Sequence, residues 1–525
     1  MQIDKSVTWC NLLSRKKILD DNNLGNMFAE DLHRFANFSI YHADFCLDFS
    51  KQKLDQATID LLIQLAEVVD LRQQQQDLFN GKHINNTENR PALHTELRSP
   101  AARREIKQQI GKMQQKNISI RQQFTDVISL GIGGSYLGSK LVTDALLPYK
   151  DSNLNLHFIS NIDSDSLNDL LTKLKPQHTI CIINSKSFTT IETLTNAKVV
   201  IDWLAEKIDQ QVIFNKHILA VTANPAKAQQ FGIAVDNILE FWEFVGGRYS
   251  VWSTVGFPIM LCIGEDNFKQ FLSGAYSIDQ HFLDAPFGNN IPVMLALIGI
   301  WNVNFLGTKS LAVLPYTNGL AYLPNYLQQL EMESNGKRVD KNGADIDYAT
   351  CPVIWGGVGC DIQHAFMQLI HQSNEVIPCD FILPINSHAT KYQAQQDLLA
   401  ASCLAQSRSL MLGTKSIEAN QATEDLLSKA KYCPGDKPSS TILFSTLTPY
   451  NLGSLLAIYE HKTFVQGAIW GIQSFDQWGV ELGKKIGNEI LPSLDCSNQS
   501  VKYSATLDSS TLGLISLVNK RKNLA

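Results

Sequence analysis

This sequence predicts a two-lobed α/β protein built on parallel sheets, with helical extensions at its N- and C-terminal ends. Three observations carry that expectation. The chain has 525 residues, more than one hydrophobic core usually supports. Apolar runs of strand length alternate with helical patterns from Asp126, and again from Leu311, as in a parallel sheet with crossover helices. The N-terminal region and the last clear stretch instead space their apolar residues at three and four.

In chain order, the N-terminal region places Leu12-Leu13, Met27-Phe28, Leu32 and Phe35, then Leu61-Leu62, Leu65 and Val68-Val69, at helical spacing. The stretch Phe79 to Arg98 is rich in Asn, Gly and Pro and reads as a loop. Its many side-chain donors leave two readings, a solvated connector or a loop laid against a functional site.

Strands are expected at Val127–Leu130, His157–Ser160, Ile180–Ile183 and Ile218–Thr222. The first breaks into Gly131, Gly133, Gly134 and Ser135 before a helical pattern resumes near Ser139. Glycines there let the backbone come close to a ligand, and the N–H groups of the turn and the first helical turn favour an anion such as phosphate. Two nucleotide patterns are near misses. Tyr136 occupies the place of the third Gly of the dinucleotide fingerprint, and Ser139-Lys140 reverses the Lys and Ser of the nucleotide P-loop. A phosphate is implied, without a dinucleotide or ATP.

After the third strand, Asn184-Ser-Lys-Ser-Phe-Thr-Thr-Ile-Glu-Thr193 sets five hydroxyls and a Lys before a helix, more than capping requires. Two such loops at the carboxyl ends of strands in one sheet can hold one phosphate between them. Next, Gly246-Gly-Arg-Tyr-Ser-Val-Trp-Ser253 presents Arg248 from a Gly pair between aromatics, facing a ligand or a buried carboxylate.

The second block has strands at Leu311–Leu314, Val353–Trp355 and Phe381–Leu383, with a helix around Leu323–Met332. Gln329 and Glu333, four apart, share a face near that helix's end, whereas Glu331 is expected to point elsewhere into solvent. Gly356-Gly-Val-Gly-Cys-Asp-Ile-Gln-His364 repeats the strand, Gly-turn, helix arrangement, placing His364 in a first helical turn with His371 on the same face. Two His at that spacing without an intervening acid make a poor metal site. Finally, Thr448-Pro449 opens what reads as one long helical stretch running to Lys484. Glu481 and Lys485 fit a surface pair, leaving Lys484 as the ligand-facing cation.

The net charge, 45 − 51 = −6, is too mild for a nucleic-acid partner. Ten scattered cysteines without a C-x-x-C fit buried thiols in a reducing compartment. The N-terminus lacks the basic and apolar regions of a secretory signal, and the apolar run Ile291 to Trp301 is too short to span a bilayer. A cytoplasmic protein is expected.

Six motifs appear in order: Gly-Ile-Gly-Gly-Ser-x-Leu-Gly, Ser-Lys-Ser-Phe-Thr-Thr-x-Glu-Thr, Gly-Gly-Arg-Tyr-Ser-x-Trp-Ser, Met-Glu-Ser-Asn-Gly-Lys, Gln-His-Ala-Phe-x-Gln-Leu-Ile-His-Gln and Ser-Phe-Asp-Gln-Trp-Gly-Val-Glu-Leu-Gly-Lys. From the Asn-x-Thr-Glu-Asn-Arg loop near Asn85 to Lys484, the chain closely resembles the phosphoglucose (glucose-6-phosphate) isomerase family. The resemblance implies two sugar-isomerase (SIS) αβα lobes. The expected division is a helical N-terminal segment (1–105) on the large lobe, a first lobe (106–265), a second lobe (266–490) and a C-terminal extension (491–525).

The same resemblance implies reversible conversion of glucose 6-phosphate to fructose 6-phosphate, a step of glycolysis and gluconeogenesis, without metal or organic cofactor. It makes Glu333 the base moving a proton between C2 and C1 through a cis-enediol. Arg248 would stabilise the enediolate, and His364 and Lys484 would assist ring opening. Ser135, Ser185, Ser187 and Thr190 would hold the phosphate, with Gly133, Gly134 and Lys186 beside it, while Gln329 and Gln477 would contact the sugar. The counterpart of His364 comes from a neighbouring subunit, implying a homodimer.

The chain departs from the family at Cys360-Asp361-Ile362, where Thr-Asn-x is usual before Gln-His, and Asp361 brings a carboxylate near His364. Ser187 replaces the commoner Thr, Gln473 an Asn, and Ser373 a Gly. Three rival readings stay open: a sugar-phosphate sensor without turnover, an isomerase acting also on mannose 6-phosphate, and a metal-dependent isomerase.

Overall fold

The computed structural model describes residues 2–414, 426–494 and 507–522. The chain divides into two compact units, Met1–Phe475 and Asp476–Ala525.

Two sheets organise the first unit. Strands β1 (Ser39–His42) and β2 (Phe45–Asp48) precede the first parallel block, which comprises β3 (Asp126–Leu130), β4 (Asn155–Ile159), β5 (Thr179–Asn184), β6 (Ile218–Thr222) and β7 (Ile238–Glu240). That block forms a five-stranded parallel sheet in the order β4-β3-β5-β6-β7, with Val127 opposite Ile180 and Leu130 opposite Ile183. β5 and β6 are buried along their whole length, as befits strands covered on both faces. The second block supplies β8 (Ser310–Pro315), β9 (Val353–Gly356), β10 (Cys379–Asn386) and β11 (Ser439–Thr446). With β1 and β2 they make a six-stranded sheet, β1-β2-β11-β10-β8-β9, parallel except at the β1–β2 and β2–β11 pairs.

The β1–β2 hairpin lies inside the segment expected to be helical ahead of the 79–98 loop. All four residues of β2 are buried, so the strand carries no alternation to betray it, and it pairs with β11 through Leu47 opposite Ile442. Helices flank the hairpin, with Val7–Asp20 and Gln56–Val68 capped by Ser6 and Asp55.

Two long buried helices run beside the sheets. Phe257–Asp284 is interrupted at Gly264, whose φ of 81° is non-helical. Pro449–Trp470 begins as expected, Thr448 accepting from the Asn451 N–H with Pro449 in the first turn. The two approach so closely that a Cβ on Gly453 would stand 2.0 Å from the Phe271 carbonyl oxygen. The expected continuous helix to Lys484 is cut at Gly471, whose left-handed φ of 67° closes Pro449–Trp470.

In the second unit a short 3-10 turn, Trp478–Val480, leads into the helix Glu481–Ile490, and Ser509–Lys522 forms another. Much of the expected C-terminal extension lies outside the described residues. Among the described residues no helix is long and apolar enough to cross a membrane. The nine described cysteines are unpaired, but only five are buried; Cys10 is exposed and three are partly so, which corrects the expectation of buried thiols throughout.

Candidate active site

Three loops at the carboxyl ends of strands in the five-stranded sheet, and one helical turn from the second block, meet in the first unit. After β3 the Gly133–Ser135 turn closes through Ser135 N–H to Ile132 O (3.2 Å) and Tyr136 N–H to Gly133 O (2.9 Å). A Cβ on Gly134 would stand 2.0 Å from the Gly247 carbonyl oxygen, so this turn lies directly on the loop bearing Arg248. A Cβ on Gly133, whose φ is +57°, would stand 2.9 Å from Gln329 Nε2.

The loop after β5 is pinned by Phe188, buried with a positive φ of 51° between exposed Ser187 and Thr189. Thr190 precedes the helix Ile191–Ala205 but makes no side-chain cap; Ser185 Oγ donates to Thr190 Oγ1 (3.2 Å), and Ser187 and Thr189 pair at 2.6 Å. The hydroxyls are therefore bonded among themselves rather than used as caps. Lys186 turns to the Glu243 and Val245 carbonyls, both at 2.9 Å, clamping the strand-end loop that leads to Arg248. Burial lowers its pKa against the pull of Glu243.

Arg248 is buried and shared out. Its Nε donates to Ser334 Oγ (2.6 Å), Nη2 to the Ser474 carbonyl (2.7 Å), and Nη1 stands 3.3 Å from Glu333 Oε2. Gln329 Nε2 donates to the same carboxylate oxygen at 3.1 Å. The helix expected around Leu323–Met332 is α-helical only over Leu323–Leu327 and continues as a π-turn over Gln328–Glu333. Such widened turns concentrate at functional sites, and this one keeps Gln329 and Glu333 on one face as expected. Glu331 is not solvated: it is fully buried, with both oxygens on Lys462 Nζ at 2.8 and 2.7 Å.

The loop of residues 79–98 lies against these elements, which decides between its two readings. Arg90 Nη1 meets Glu243 at 2.7 Å, Leu93 N–H donates to Phe244 O, and Gln473 Nε2 reaches Asn86 Oδ1 at 2.6 Å. His94 packs its ring 4.6 Å from Tyr249, and burial holds it well below the usual histidine range. Tyr249 OH meets Ser334 Oγ at 3.0 Å, so the ring backs the Arg248–Ser334 contact.

His364 is not in a first helical turn. The helix Gly359–Gln363 ends at it, and a separate helix, Met367–Gln372, carries His371, which bonds Gln406 at 2.9 Å. With the Phe366 ring tilted against Trp355 at 4.6 Å, the intervening turn leaves His364 exposed, its ring without a hydrogen bond among the described residues. Gln477 and Lys484 belong to the second unit. There Lys484 pairs with Glu481 at 2.8 Å on an exposed surface, the partner expected for Lys485.

Ser334 and Ser474 were not singled out, although both stand inside quoted motifs; a buried Arg needs several acceptors, which is the signal that finds them. Among the described residues no group of three or more His, Cys, Asp or Glu side chains is placed to hold a metal ion.

The sequence model described as phosphoglucose isomerase matches residues 48–515. A glucose-6-phosphate isomerase of Shewanella halifaxensis is 44% identical over 98% of both chains, and one of Hydrogenovibrio crunogenus is 44% identical over 99% of this chain and 100% of its own. A crystal structure of a glucose-6-phosphate isomerase from Chlamydia trachomatis superposes with a TM-score of 0.86 at 28% identity, covering 99% of this chain and 100% of that one. The chain belongs to the phosphoglucose isomerase family.

Proposed function

We propose that the chain interconverts glucose 6-phosphate and fructose 6-phosphate in the cytoplasm, with Glu333 as the base. The observation that carries this reading is the Glu333 carboxylate, fixed by Gln329 and facing buried Arg248 beside the Gly133-Gly134 turn. A carboxylate suits abstraction of a proton α to a carbonyl, and a guanidinium stays charged as the enediolate oxygen develops.

In the open-chain aldose, Glu333 takes the proton from C2, and the released electron pair forms the C1–C2 double bond while the carbonyl electrons move to O1. The O2 proton passes to O1, the carboxylic acid returns its proton to C1, and C2–O2 becomes the carbonyl. Atoms and electrons balance without an external oxidant. Ser135, Ser185, Ser187 and Thr190, with the Gly133 and Gly134 backbone, hold the phosphate, and Lys186 holds the loop beside them. Gln329 and Gln477 contact the sugar hydroxyls. His364 and Lys484 move the ring-opening proton between O5 and O1. His364 acts from a second copy in a homodimer; its exposed, unbonded ring supports that placement.

The test is interconversion of the two sugar phosphates by purified protein in excess EDTA, beside Glu333→Gln. Turnover is expected in the wild type and a loss of about 10³-fold in kcat in the variant, with sugar-phosphate binding kept. Tight binding without turnover in the wild type would leave a sensor, and unchanged turnover in Glu333→Gln would remove Glu333 as the base.

A further inference from the structure

The helix Pro449–Trp470 carries its only charged side chains in one belt of five consecutive polar residues, Tyr459 to Thr463, all of them buried. Together they reach several neighbouring parts of the fold. Tyr459 OH donates to Asp380 on β10, Glu460 meets Arg98 (2.5 Å) and the Trp252 indole N–H (2.7 Å), and His461 meets Asp279 (2.7 Å). Lys462 takes both oxygens of Glu331, and the Thr463 carbonyl accepts from Asn335 Nδ2 (2.9 Å). Glu331 and Asn335 stand two residues before and two after Glu333, so consecutive positions of one rigid helix grip the turn on both sides of the proposed base.

We propose that the buried Lys462–Glu331 pair is a positioning device for the π-turn, fixing Glu333 and Gln329 against Arg248. This rests on the reading of Glu333 as the base. A π-turn is an uncommon register that tertiary contacts must impose, because an ordinary α-helical register competes with it. The pair is poorly explained as a source of stability: desolvating two charges costs about as much as their attraction returns, and apolar or neutral replacements of such pairs are often neutral or stabilising. What a direction-specific, two-oxygen contact supplies instead is placement. Glu331 is on the far side of the turn from Gln329 and Glu333, so a shift of its carboxylate rotates the turn and moves Glu333 relative to Arg248. Lys462 has no route to the substrate of its own, being buried between the helix and the turn.

The test is the double variant Glu331→Gln/Lys462→Met, which removes both charges at similar volume, assayed beside the wild type and Glu333→Gln. The expected result is a Tm no lower than the wild type and a KM within about threefold. The kcat falls by about 10- to 100-fold, the scale of a displacement near 1 Å at the reacting atoms. A loss confined to kcat, with KM and Tm held, is a split that a purely structural role would not produce. A folded double variant with wild-type kcat overturns the proposal. Should the double variant not fold, Glu331→Asp, which keeps both charges but draws the carboxylate back by one methylene, takes its place with about a tenfold loss in kcat expected; wild-type kcat there overturns it equally. An inactive wild-type protein would overturn the isomerase reading and this proposal with it. A fully active double variant beside an inactive Glu333→Gln overturns only this one.

Discussion

Arg248 Nη1 stands 3.3 Å from Glu333 Oε2, and its other two donor groups are committed to Ser334 and the Ser474 carbonyl. The guanidinium is thereby fixed by three elements at once: its own Gly-flanked loop, the turn after the π-helix, and the strap following Gly471. Lysine keeps the charge but, as a single flexible ammonium, cannot span all three partners. Arg248→Lys is therefore expected to lower kcat by about 10²-fold, the scale for losing one preorganised electrostatic donor, while KM changes only a few-fold. Steady-state kinetics in both directions check this; an equal rise in KM with kcat unchanged would assign Arg248 to ground-state binding instead.

The contact between the two glycine turns makes a sharper demand. At Gly134 an added methyl would stand 2.0 Å from the Gly247 carbonyl oxygen and 2.8 Å from the Arg248 nitrogen, both backbone atoms that no rotamer change can move aside. Gly134→Ala has to separate the phosphate turn from the Arg248 loop. The expected outcome is a loss of about 1–3 kcal/mol in stability from overpacking, with a fall of about 10²-fold in kcat/KM from misplacement. Thermal unfolding and kinetics on the same preparation measure both. Activity within a few-fold of the wild type would mean that the two turns part without consequence for the site.

What the sequence made legible, and what it did not, follows from the range of the forces involved. Seven of the nine parallel strands stood out because each is an apolar run bounded by turn residues, a local signal, whereas the three-residue β7 and the hydroxyl-rich β11 did not. Gln329 and Glu333 were placed on one face by spacing alone, and the π-turn preserves that relation. The hairpin β1–β2 was missed because β2 is buried throughout and its partner, β11, is about 400 residues further on. Glu331 was misread for the same reason: on its own helix nothing marks it as buried, and the cation that neutralises it, Lys462, lies 131 residues away. The clue to that pairing sits at Glu460-His461-Lys462-Thr463, four consecutive polar residues holding the charges of a largely apolar helix, since buried charges require partners. The break at His364 depends on the packing of Phe366 on Trp355, which no spacing rule encodes.

Asp380 offers a test of the interior away from the proposed chemistry. It lies on β10, buried, accepting a hydrogen bond from Tyr459 OH at 3.1 Å. Burial pushes its pKa up from 3.8 to about 6; nearby Lys462 opposes the rise and Glu331 adds to it. Because the folded value exceeds the unfolded one, the folded protein holds a proton at intermediate pH that the unfolded chain has released. Stability from this group is fully present below about pH 4 and is lost as pH rises through about 6, to a total of about 3 kcal/mol. Asn in its place cannot ionise and still offers Tyr459 an oxygen. Asp380→Asn is therefore expected to gain stability relative to the wild type as pH rises from 4 to 7, seen as a Tm difference that moves in the variant's favour across that window. A Tm difference constant from pH 4 to 7 would mean that Asp380 titrates alike in the folded and unfolded chains, its burial offset by the Lys462 charge.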